Sequence, residues 1–409
     1  MSSKHGRWAF PCRLVLLAIG AAAALGAANR LLAQQAHPAS GFRERSGPAE
    51  IYVPPALAWR GPLPDLSLHA VSKWSLRGEP LGGPFWADAR SLVIITEEPE
   101  SGAHWLHCYR ITEEGPVWAV SLPEPPVAGP VADARRAYVV LASGVVRAYA
   151  LSDGSQAWEE ALGSAAPAGL AILDGRLLVA AGSSLHVLSP RSGQIRIELQ
   201  LDAPPRMPPC SSAGRWYLSL DSGQILALDP EDGHTLWMRR FEGVPTPPVC
   251  VEEMLIVGTS RRRLLALRAR DGRPEWEQRL GGAVSVPAVL YQGGAYVGSQ
   301  DGRVYGFKLS NGHRMWATSA GERVRRPPVL VHGLLGVASS GETSLRFLHL
   351  PTGRALLDGS APVEDAGWVG APTSYEDHLA LAADQRDAPD GLLLIYRLQQ
   401  AETPGTSGR

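Results

Sequence analysis

The side chains best suited to chemistry in this 409-residue sequence form the run His104-Trp105-Leu106-His107-Cys108. Imidazole and thiolate groups are the ligands that zinc prefers in proteins. In a β-strand, however, positions three apart point to opposite faces, so His104 and His107 do not easily share one ion. A haem attachment motif would need two cysteines before the histidine. We therefore expect an ordinary strand here, with no metal bound.

The cysteines are the second candidate group. Cys108, Cys210 and Cys250 follow the N-terminal region, and an odd count allows at most one internal disulfide bond. Cys210 and Cys250 each lie 17 residues after a glycine, Gly193 and Gly233, so they hold equivalent places in a repeat. In an oxidising compartment they could form a bond, but neighbouring inner strands are often too far apart for the narrow Cα distance window. The expectation is two small, separate core residues.

Catalytic motifs give no further candidates. Asp153, Asp232 and Asp271 each precede a glycine, where aspartate favours a tight turn. The sequence contains no Gly-x-Ser-x-Gly elbow and no phosphate-cradling glycine loop followed by lysine. The sequence therefore predicts no catalytic residue, no cofactor-binding residue and no metal ligand.

Composition limits the class of protein. Hydrophobic residues make up 45% of the chain, enough for a full core, and 44 glycines with 34 prolines suit a protein rich in tight turns. Lysine plus arginine (39) nearly balances aspartate plus glutamate (40), so the formal net charge is −1. A chain this close to neutral has no general attraction to nucleic acid.

The N-terminus predicts export. Three basic residues, Lys4, Arg7 and Arg13, precede an apolar run of 15 residues at 14–28. A membrane-spanning helix needs about 20 apolar residues, so the run suits a signal peptide within residues 1–36. The alternative is an uncleaved anchor, which would be the chain's one contact with a membrane. Cys12 precedes the apolar run, which is the wrong side for a lipid-modified cysteine.

Two further segments have no periodicity. Residues 37–69 are rich in proline and alanine and are predicted to be a flexible linker, and residues 399–409 are predicted to be a disordered tail. The folded domain is therefore predicted to span residues 70–398.

A repeat of about 40 residues fills this domain. Each copy has an alternating apolar strand, a glycine turn and a large apolar residue near its end. The turn glycines are separated by 39, 39, 40, 39, 40 and 41 residues, and they are Gly115, Gly154, Gly193, Gly233, Gly272, Gly312 and Gly353. This period is typical of a propeller blade of four antiparallel strands.

Seven complete blades end near Trp118, Trp158, Ile197, Trp237, Trp276, Trp316 and Leu357. Three strands follow Leu357, and a separate strand around Trp74 precedes the first blade. If that strand completes the last blade, the ring closes without open edges. From Trp74 to Leu398 is 325 residues, and 325 divided by eight gives 40.6 per blade. The prediction is an all-β, eight-bladed propeller closed by an N-terminal strand, with seven blades as the alternative.

Large aromatic side chains recur at one position of the repeat. We expect their indoles to close the outer part of each seam between blades, where they bury a large area. These predicted docking residues are Trp74, Trp118, Trp158, Trp237, Trp276 and Trp316.

The repeat resembles that of a known family. Ala227-Leu228-Asp229, followed by Asp232-Gly233 and Trp237, resembles the tryptophan-docking motif of pyrroloquinoline-quinone-like (PQQ-like) propellers. The stretch from Ser299 to Phe307, SQDGRVYGF, resembles the strand-turn-strand half of the same repeat. Such chains include quinone-dependent alcohol and glucose dehydrogenases and the non-catalytic propeller subunit of the machinery that inserts outer-membrane β-barrels. The resemblance indicates the fold more strongly than the function.

The dehydrogenases of this family imply a quinone, a Ca²⁺ ion held by oxygen ligands and an aspartate base. Their alcohol dehydrogenases also carry a disulfide between adjacent cysteines, and no two cysteines are adjacent here. Every repeat in this chain is also near its minimal length. A quinone with Ca²⁺ is therefore the alternative, and the absence of any cofactor is the prediction.

One surface is a candidate for binding. Turns between the second and third strands of a blade share a face with the connections to the next blade. Arginines cluster on that face around blades five to seven, and we call the following nine residues the arginine rim: Arg239, Arg240, Arg261, Arg262, Arg263, Arg279, Arg323, Arg325 and Arg326. It could dock an acidic protein loop, a polyanionic glycan or lipid headgroups, unless these arginines only pair locally.

These observations predict a monomeric, exported, non-catalytic scaffold in the periplasm or cell envelope, which docks envelope proteins or an acidic ligand through its rim loops. The alternatives are a quinone-dependent dehydrogenase or its degenerate relative, and a glycan or small-molecule binder at the mouth of the channel.

Overall fold

The computed structural model describes residues 66–163, 168–338, 344–360, 366–385 and 388–400. The regular secondary structure in these ranges consists of β-strands, which form eight antiparallel sheets. The predicted all-β, eight-bladed class is therefore confirmed. None of the described residues forms a helix that could cross a membrane. The predicted signal peptide and the tail from residue 401 lie outside the described residues, as does the linker up to residue 65.

The first half of the chain forms one N-terminal strand, which precedes blade 1, and then four blades. The strand is β1 (Leu66–Ser75). The blades are, in order, β2 (Glu79–Pro80), β3 (Phe85–Trp86), β4 (Ser91–Glu97), β5 (His104–Arg110) and β6 (Pro116–Leu122); β7 (Pro126–Ala132), β8 (Arg136–Leu141), β9 (Val145–Ala150) and β10 (Gln156–Ala161); β11 (Ala168–Leu173), β12 (Arg176–Ala181), β13 (Ser184–Leu188) and β14 (Ile195–Gln200); β15 (Pro205–Ser212), β16 (Arg215–Leu220), β17 (Gln224–Leu228) and β18 (Thr235–Arg240).

The second half forms the other four blades. These are β19 (Val249–Val251), β20 (Met254–Gly258), β21 (Arg263–Arg268) and β22 (Pro274–Arg279); β23 (Val289–Tyr291), β24 (Gly294–Gly298), β25 (Arg303–Lys308) and β26 (Arg314–Ser319); β27 (Val329–Val331), β28 (Leu334–Ala338), β29 (Ser344–His349) and β30 (Ala355–Ser360); β31 (Ala366–Tyr375), β32 (His378–Gln385) and β33 (Leu392–Gln400). In blades 1 to 7 the strands run in chain order from the channel outward.

The ring closes as predicted, because β1 is the outer strand of blade 8. It pairs antiparallel with β33, from Leu66 opposite Gln400 to Ser75 opposite Leu392. This pairing places both strand ends beyond the predicted domain limits of 70 and 398. The two termini of the ring are thereby joined by backbone hydrogen bonds, which removes an open sheet edge.

Blade 1 departs from the simple pattern, because its inner strand is broken into β2 and β3, both paired with β4. Gly83 lies in the break and packs against the backbone of Ala371 in blade 8. A Cβ on Gly83 would lie 2.3 Å from the Ala371 carbonyl oxygen, so only glycine fits this close approach.

The seams between blades are apolar and contain the indoles. Trp118, Trp276 and Trp74 are at most 8% exposed. Each indole Nε1 donates to a backbone carbonyl of the next blade: Trp118 to Leu151 (2.9 Å), Trp158 to Pro190 (3.0 Å), Trp237 to Ala269 (2.9 Å), Trp276 to Leu309 (2.7 Å), Trp316 to Leu350 (2.7 Å) and Trp74 to Glu113 (3.2 Å). Each contact therefore buries an aromatic ring and satisfies its single polar group.

The turn glycines lie under these rings. Six of the seven predicted turn glycines have φ between +68° and +77°, the left-handed region that glycine enters without cost, and they are Gly154, Gly193, Gly233, Gly272, Gly312 and Gly353. At five of them a Cβ would lie 2.4–2.8 Å from the indole that docks there. At Gly233 the covering side chains are Ile197 and Leu199 instead, since blade 3 ends in isoleucine.

Gly115 lies in the turn between β5 and β6, as predicted, but the expectation that it would be equivalent to the other six glycines was wrong. No side chain packs on it, and it lacks the positive φ of the other six. Gly115 precedes Pro116, and a residue before proline is held in extended backbone. It also lies three rather than four residues before its tryptophan, so Trp74 docks instead near Glu113.

The expectation for the cysteines was also wrong. Cys210 on β15 and Cys250 on β19 form a disulfide bond, with Cα atoms 5.7 Å apart. The inner strands of blades 4 and 5 thus come within the Cα window of a disulfide at this point. Cys108 is a free, buried thiol, and burial raises its pKa to about 12.

Reduction of this bond should destabilise the ring. It closes a loop of 40 residues, and the chain-entropy argument for that length gives a loss of about 4 kcal/mol in the free energy of unfolding, an upper value for native disulfides. Denaturant titration of the oxidised and reduced protein measures the difference. Equal midpoints would contradict the bond. Cys108, which is free and buried, should react with a thiol reagent only after unfolding.

Candidate functional site

The arginine rim is built where the connections between blades pass over turns of the same sheets. The Leu280 N–H donates to the Arg262 carbonyl (2.8 Å), and the Ser260 N–H donates to the Val244 carbonyl (2.9 Å). These bonds fasten each connection to the turn between the second and third strands. The rim is therefore a rigid backbone surface with side chains projecting from it.

Several rim arginines are engaged within the ring. Arg263 pairs with Glu277 (2.9 Å) and Glu242 (3.2 Å). Arg239 and Arg240 donate to the carbonyls of Asp271 and Ser222 at 3.1 and 3.3 Å. These three guanidinium groups are therefore less available to bind an acidic partner than their charge alone suggests.

Arg326 is a special case because it is half-buried between two blades. Its Nη2 donates to the Trp368 carbonyl of blade 8 at 2.6 Å. Burial lowers the pKa of its guanidinium, while the charge of Asp384 acts in the opposite direction. Arg326 thus serves the packing of blade 7 against blade 8.

The remaining five rim arginines are exposed: Arg261, Arg262, Arg279, Arg323 and Arg325. Arg323 lines an open cleft of about 410 Å³ between the blade 6 turn and the next connection, together with Asp301 and Glu322. The exposed part of the rim is therefore cationic around blade 5 and of mixed charge around blade 6.

Arg262 is strained. Its φ is +63°, a backbone conformation that side chains rarely adopt. At the same turn position, blades 2, 4 and 6 have Gly144, Gly223 and Gly302, all with positive φ. Such a departure costs about 1–3 kcal/mol, and six other described non-glycine residues in turns of the ring also have a positive φ. The strain projects an arginine from the tip of this turn.

The opposite face carries polar contacts that join blades. Asp174 accepts hydrogen bonds from Ser211 Oγ and the Trp216 indole, both at 2.9 Å. Arg176 pairs with Glu231 at 2.6 Å and lies over the Trp216 ring. Asp174 and Glu231 therefore hold neighbouring blades together.

A possible metal centre was sought among the histidine, cysteine and acidic side chains. In the described residues one such group has suitable spacing, Asp229, Asp232 and His234, with ligand atoms within 4.8 Å of one another. Asp232 accepts the backbone N–H of His234 (3.0 Å) and its Nδ1 (2.7 Å), and these bonds hold the pKa of Asp232 below its usual value. The group lies in an outer turn of blade 4, where these bonds stabilise the turn.

The inner strands do not fit a quinone–calcium centre as far as the structure describes them. The inner-strand indoles of Trp86 and Trp368 are 3% and 8% exposed and pack within hydrophobic clusters rather than presenting a face to a ligand. No group of three histidine, cysteine or acidic side chains with the spacing of a metal site is found on the described inner strands. The absence of a cofactor remains a prediction.

The run from His104 to Cys108 is strand β5 of blade 1, as expected. The His107 Nε2 lies 2.9 Å from Thr96 Oγ1 within the core, whereas His104 Nε2 lies 4.0 Å from Glu97. The two imidazoles therefore have separate partners.

Sequence reasoning missed a second cleft of about 410 Å³, on the outer wall between blades 5 and 6. Its lining residues are Gln278, Arg279, Tyr305, Phe307, His313 and Arg314. A signal was present, since Gln278 stands where the other blades have Val120, Glu160, Leu199, Arg239 and Thr318, two residues after the docking residue.

Comparison with known proteins identifies the family. The family described as "PQQ_2: Outer membrane protein assembly factor BamB" matches residues 56–215 and 205–339. The chain belongs to this family.

Curated relatives carry the same name. An outer membrane protein assembly factor BamB from Yersinia pestis is 25% identical over 274 residues, which cover 62% of this chain and 68% of the relative. BamB from Escherichia coli K12 is 26% identical over 189 residues, 43% of this chain and 47% of the relative. The match to the second relative thus spans about half its length.

Solved structures agree on the fold. The crystal structure of BamB from Moraxella catarrhalis superposes with a TM-score of 0.65 at 18% identity, covering 81% of this chain and all of that chain (100%). A europium-containing methanol dehydrogenase superposes with a TM-score of 0.62 at 11% identity, covering 81% of this chain and 93% of that chain. Both likenesses show the propeller fold alone.

The buried imidazole of His107 should make stability depend on pH. Burial lowers its pKa from 6.5 to about 4, so the unfolded chain binds a proton more readily than the folded chain between these values. The contribution of neutral His107 to the free energy of unfolding should therefore be complete above pH 6.5. It should fall by up to about 3 kcal/mol as the pH drops to about 4.

Denaturant titrations of the protein and of His107→Gln across this range measure the effect. The variant should show a clearly flatter pH profile, although His104, His186 and His349, whose pKa values burial also lowers, keep some slope. Parallel profiles would contradict the assignment.

Proposed function

We propose that this chain is an exported, non-catalytic propeller that serves as a protein-interaction scaffold in outer membrane protein assembly. The observation that carries the proposal is membership of the BamB family over residues 56–339, together with relatives named as assembly factors. We further propose that it acts in the periplasm without a cofactor.

The structure supports binding rather than chemistry as the mechanism. Among the described residues, no group of three histidine, cysteine or acidic side chains with metal-binding spacing lies on the inner strands, whereas exposed side chains project from fixed turns on the rim. A rigid ring loses little conformational entropy when a partner docks, so most of the contact energy is available for affinity.

The docking surface in this proposal is the exposed part of the arginine rim, centred on Arg261 and Arg262. Neither side chain has an ion-pair partner among the described residues, and Arg262 is held in a strained backbone conformation. An acidic loop of an envelope protein is the matching partner, because exposed arginine forks bind carboxylates in a bidentate manner. The positive charge of the rim would raise the association rate with an acidic partner, and added salt would lower it.

The role can be tested in the organism that encodes the chain. Deleting the gene should lower the amount of folded β-barrel proteins in the outer membrane, and the intact gene should restore it. Folded and unfolded barrels are separated by gel electrophoresis with and without heating. Normal amounts of folded barrels in the deletion strain would contradict the assembly role.

Rim variants test the docking surface separately. Arg261→Glu/Arg262→Glu should fail to restore the barrels and should lose crosslinks to its envelope partner. Arg191→Glu, an exposed arginine on the opposite face, is the matched control and should behave as the native chain. Full restoration by the double variant would move the docking surface away from this turn.

A further inference from the structure

The outer seams between blades are closed in different ways. In four seams the side chain two residues after the docking residue lies against the turn glycine of the next blade. These pairs are Val120 with Gly154, Leu199 with Gly233, Arg239 with Gly272 and Thr318 with Gly353. Each of these side chains fills the space outside the docking residue.

The seam between blades 5 and 6 stays open. Gln278 holds the corresponding position, and the three atoms nearest to a Cβ on Gly312 all belong to the Trp276 indole. The cleft of about 410 Å³ lies at this seam. In the seam between blades 2 and 3 the atoms nearest to a Cβ on Gly193 likewise all belong to the indole, Trp158, but the side chain at the position of Gln278 is Glu160, which is negatively charged.

Aromatic rings form the floor of the cleft. Tyr305 and Phe307 stack at 6.1 Å between ring centroids, and Phe307 stacks on Trp276 at 6.5 Å. The Tyr305 hydroxyl donates to Asp301 Oδ2 at 2.5 Å, so the ring is fixed at both ends. Tyr305 and Phe307 are only 5% and 2% exposed, so both rings are fixed by packing and only a small part of each is accessible.

The walls are cationic. Arg314 is opposite Phe307 in the pairing of β25 with β26, so both side chains lie on the blade 5 side of the sheet. Arg314 and Arg279 are exposed and have no ion-pair partner among the described residues, and His313 lies beside Arg314. The seam between blades 4 and 5 differs, because Arg239, which lies against its turn glycine, already donates to the Asp271 carbonyl.

The nearby acids do not neutralise this charge. Glu275 and Glu277 lie on β22, but they pair with Arg268 (2.5 Å) and Arg263 (2.9 Å). The cleft therefore combines aromatic rings in its floor with two guanidinium groups, Arg279 and Arg314, that have no ion-pair partner among the described residues.

We propose that this cleft binds an acidic, extended segment of a partner protein, whose apolar side chains face Tyr305 and Phe307 while a carboxylate binds Arg314. β22 and β26, which flank the cleft, have six residues each, so they match a bound strand of about 20 Å. A carboxylate offers the bidentate geometry that a guanidinium prefers. The proposal deepens the proposed scaffold role by adding a second surface, on the outer wall, with a stated ligand class.

The probe is a panel of fluorescent nonapeptides that alternate glutamate or aspartate with apolar residues, measured by anisotropy with the purified chain. Arg314→Glu should weaken binding at least about tenfold, because it replaces attraction with repulsion. Gln278→Leu should weaken it about as much without changing the charge, since Leu199 at the equivalent position fills its seam. Arg354→Glu, in the equivalent turn of blade 7, is the matched control and should have no effect.

Three results would overturn the proposal. These are no binding by any acidic peptide, equal affinity of the native chain and Arg314→Glu, and tighter binding of phosphatidylglycerol vesicles or inorganic phosphate than of the peptides. Circular dichroism confirms that each variant is folded. Because this assay uses the purified chain, it is independent of the outer-membrane phenotype, so the cleft and the assembly role can fail separately.

Discussion

The ring depends on one repeated contact, in which an indole on the outer strand of one blade covers a turn glycine of the next. Glycine is required there for two reasons. The turn needs a positive φ, and a Cβ would lie within 2.4–2.8 Å of the ring. The indole N–H at the same time donates to a carbonyl of the next blade, at 2.7–3.0 Å in the five seams with such a glycine. Loss of one such ring typically costs about 3–5 kcal/mol.

Closure of the ring adds a second constraint. The strand β1 returns to pair with β33, and Gly83 lets the broken inner strand of blade 1 approach the backbone of blade 8. The disulfide between Cys210 and Cys250 fixes blades 4 and 5 near the channel. With the seams, the closure and this bond in place, the outer surface is a set of fixed turns and clefts. Binding surfaces can therefore vary without disturbing the fold.

The sequence was sufficient to predict those features of the fold that depend on residues close together in the chain. The period of the turn glycines predicted the blade count, and the strand around Trp74 predicted the closure. The rule failed at Gly115, because the following proline sets the backbone there. That exception was visible in the sequence, since Pro116 adjoins it.

Contacts between blades were harder to predict. The disulfide depends on the distance between two inner strands, which no spacing along the chain determines. The local partners of Arg239 and Arg326 likewise lie in a neighbouring blade, so the rim looked more uniformly cationic in the sequence than it is. At the outer cleft the nearest atoms to Gly312 belong to Trp276 alone, whereas in four other seams the side chain two residues after the docking residue also lies against the glycine, a difference that only comparison between repeats reveals.

We propose that this PQQ-like propeller works by binding proteins and not by quinone chemistry. Calorimetric titration of the purified protein with pyrroloquinoline quinone and Ca²⁺, followed by a dye-linked alcohol oxidation assay, tests it most directly. We expect no saturable heat of quinone binding and no alcohol oxidation. Stoichiometric binding with alcohol oxidation would contradict it.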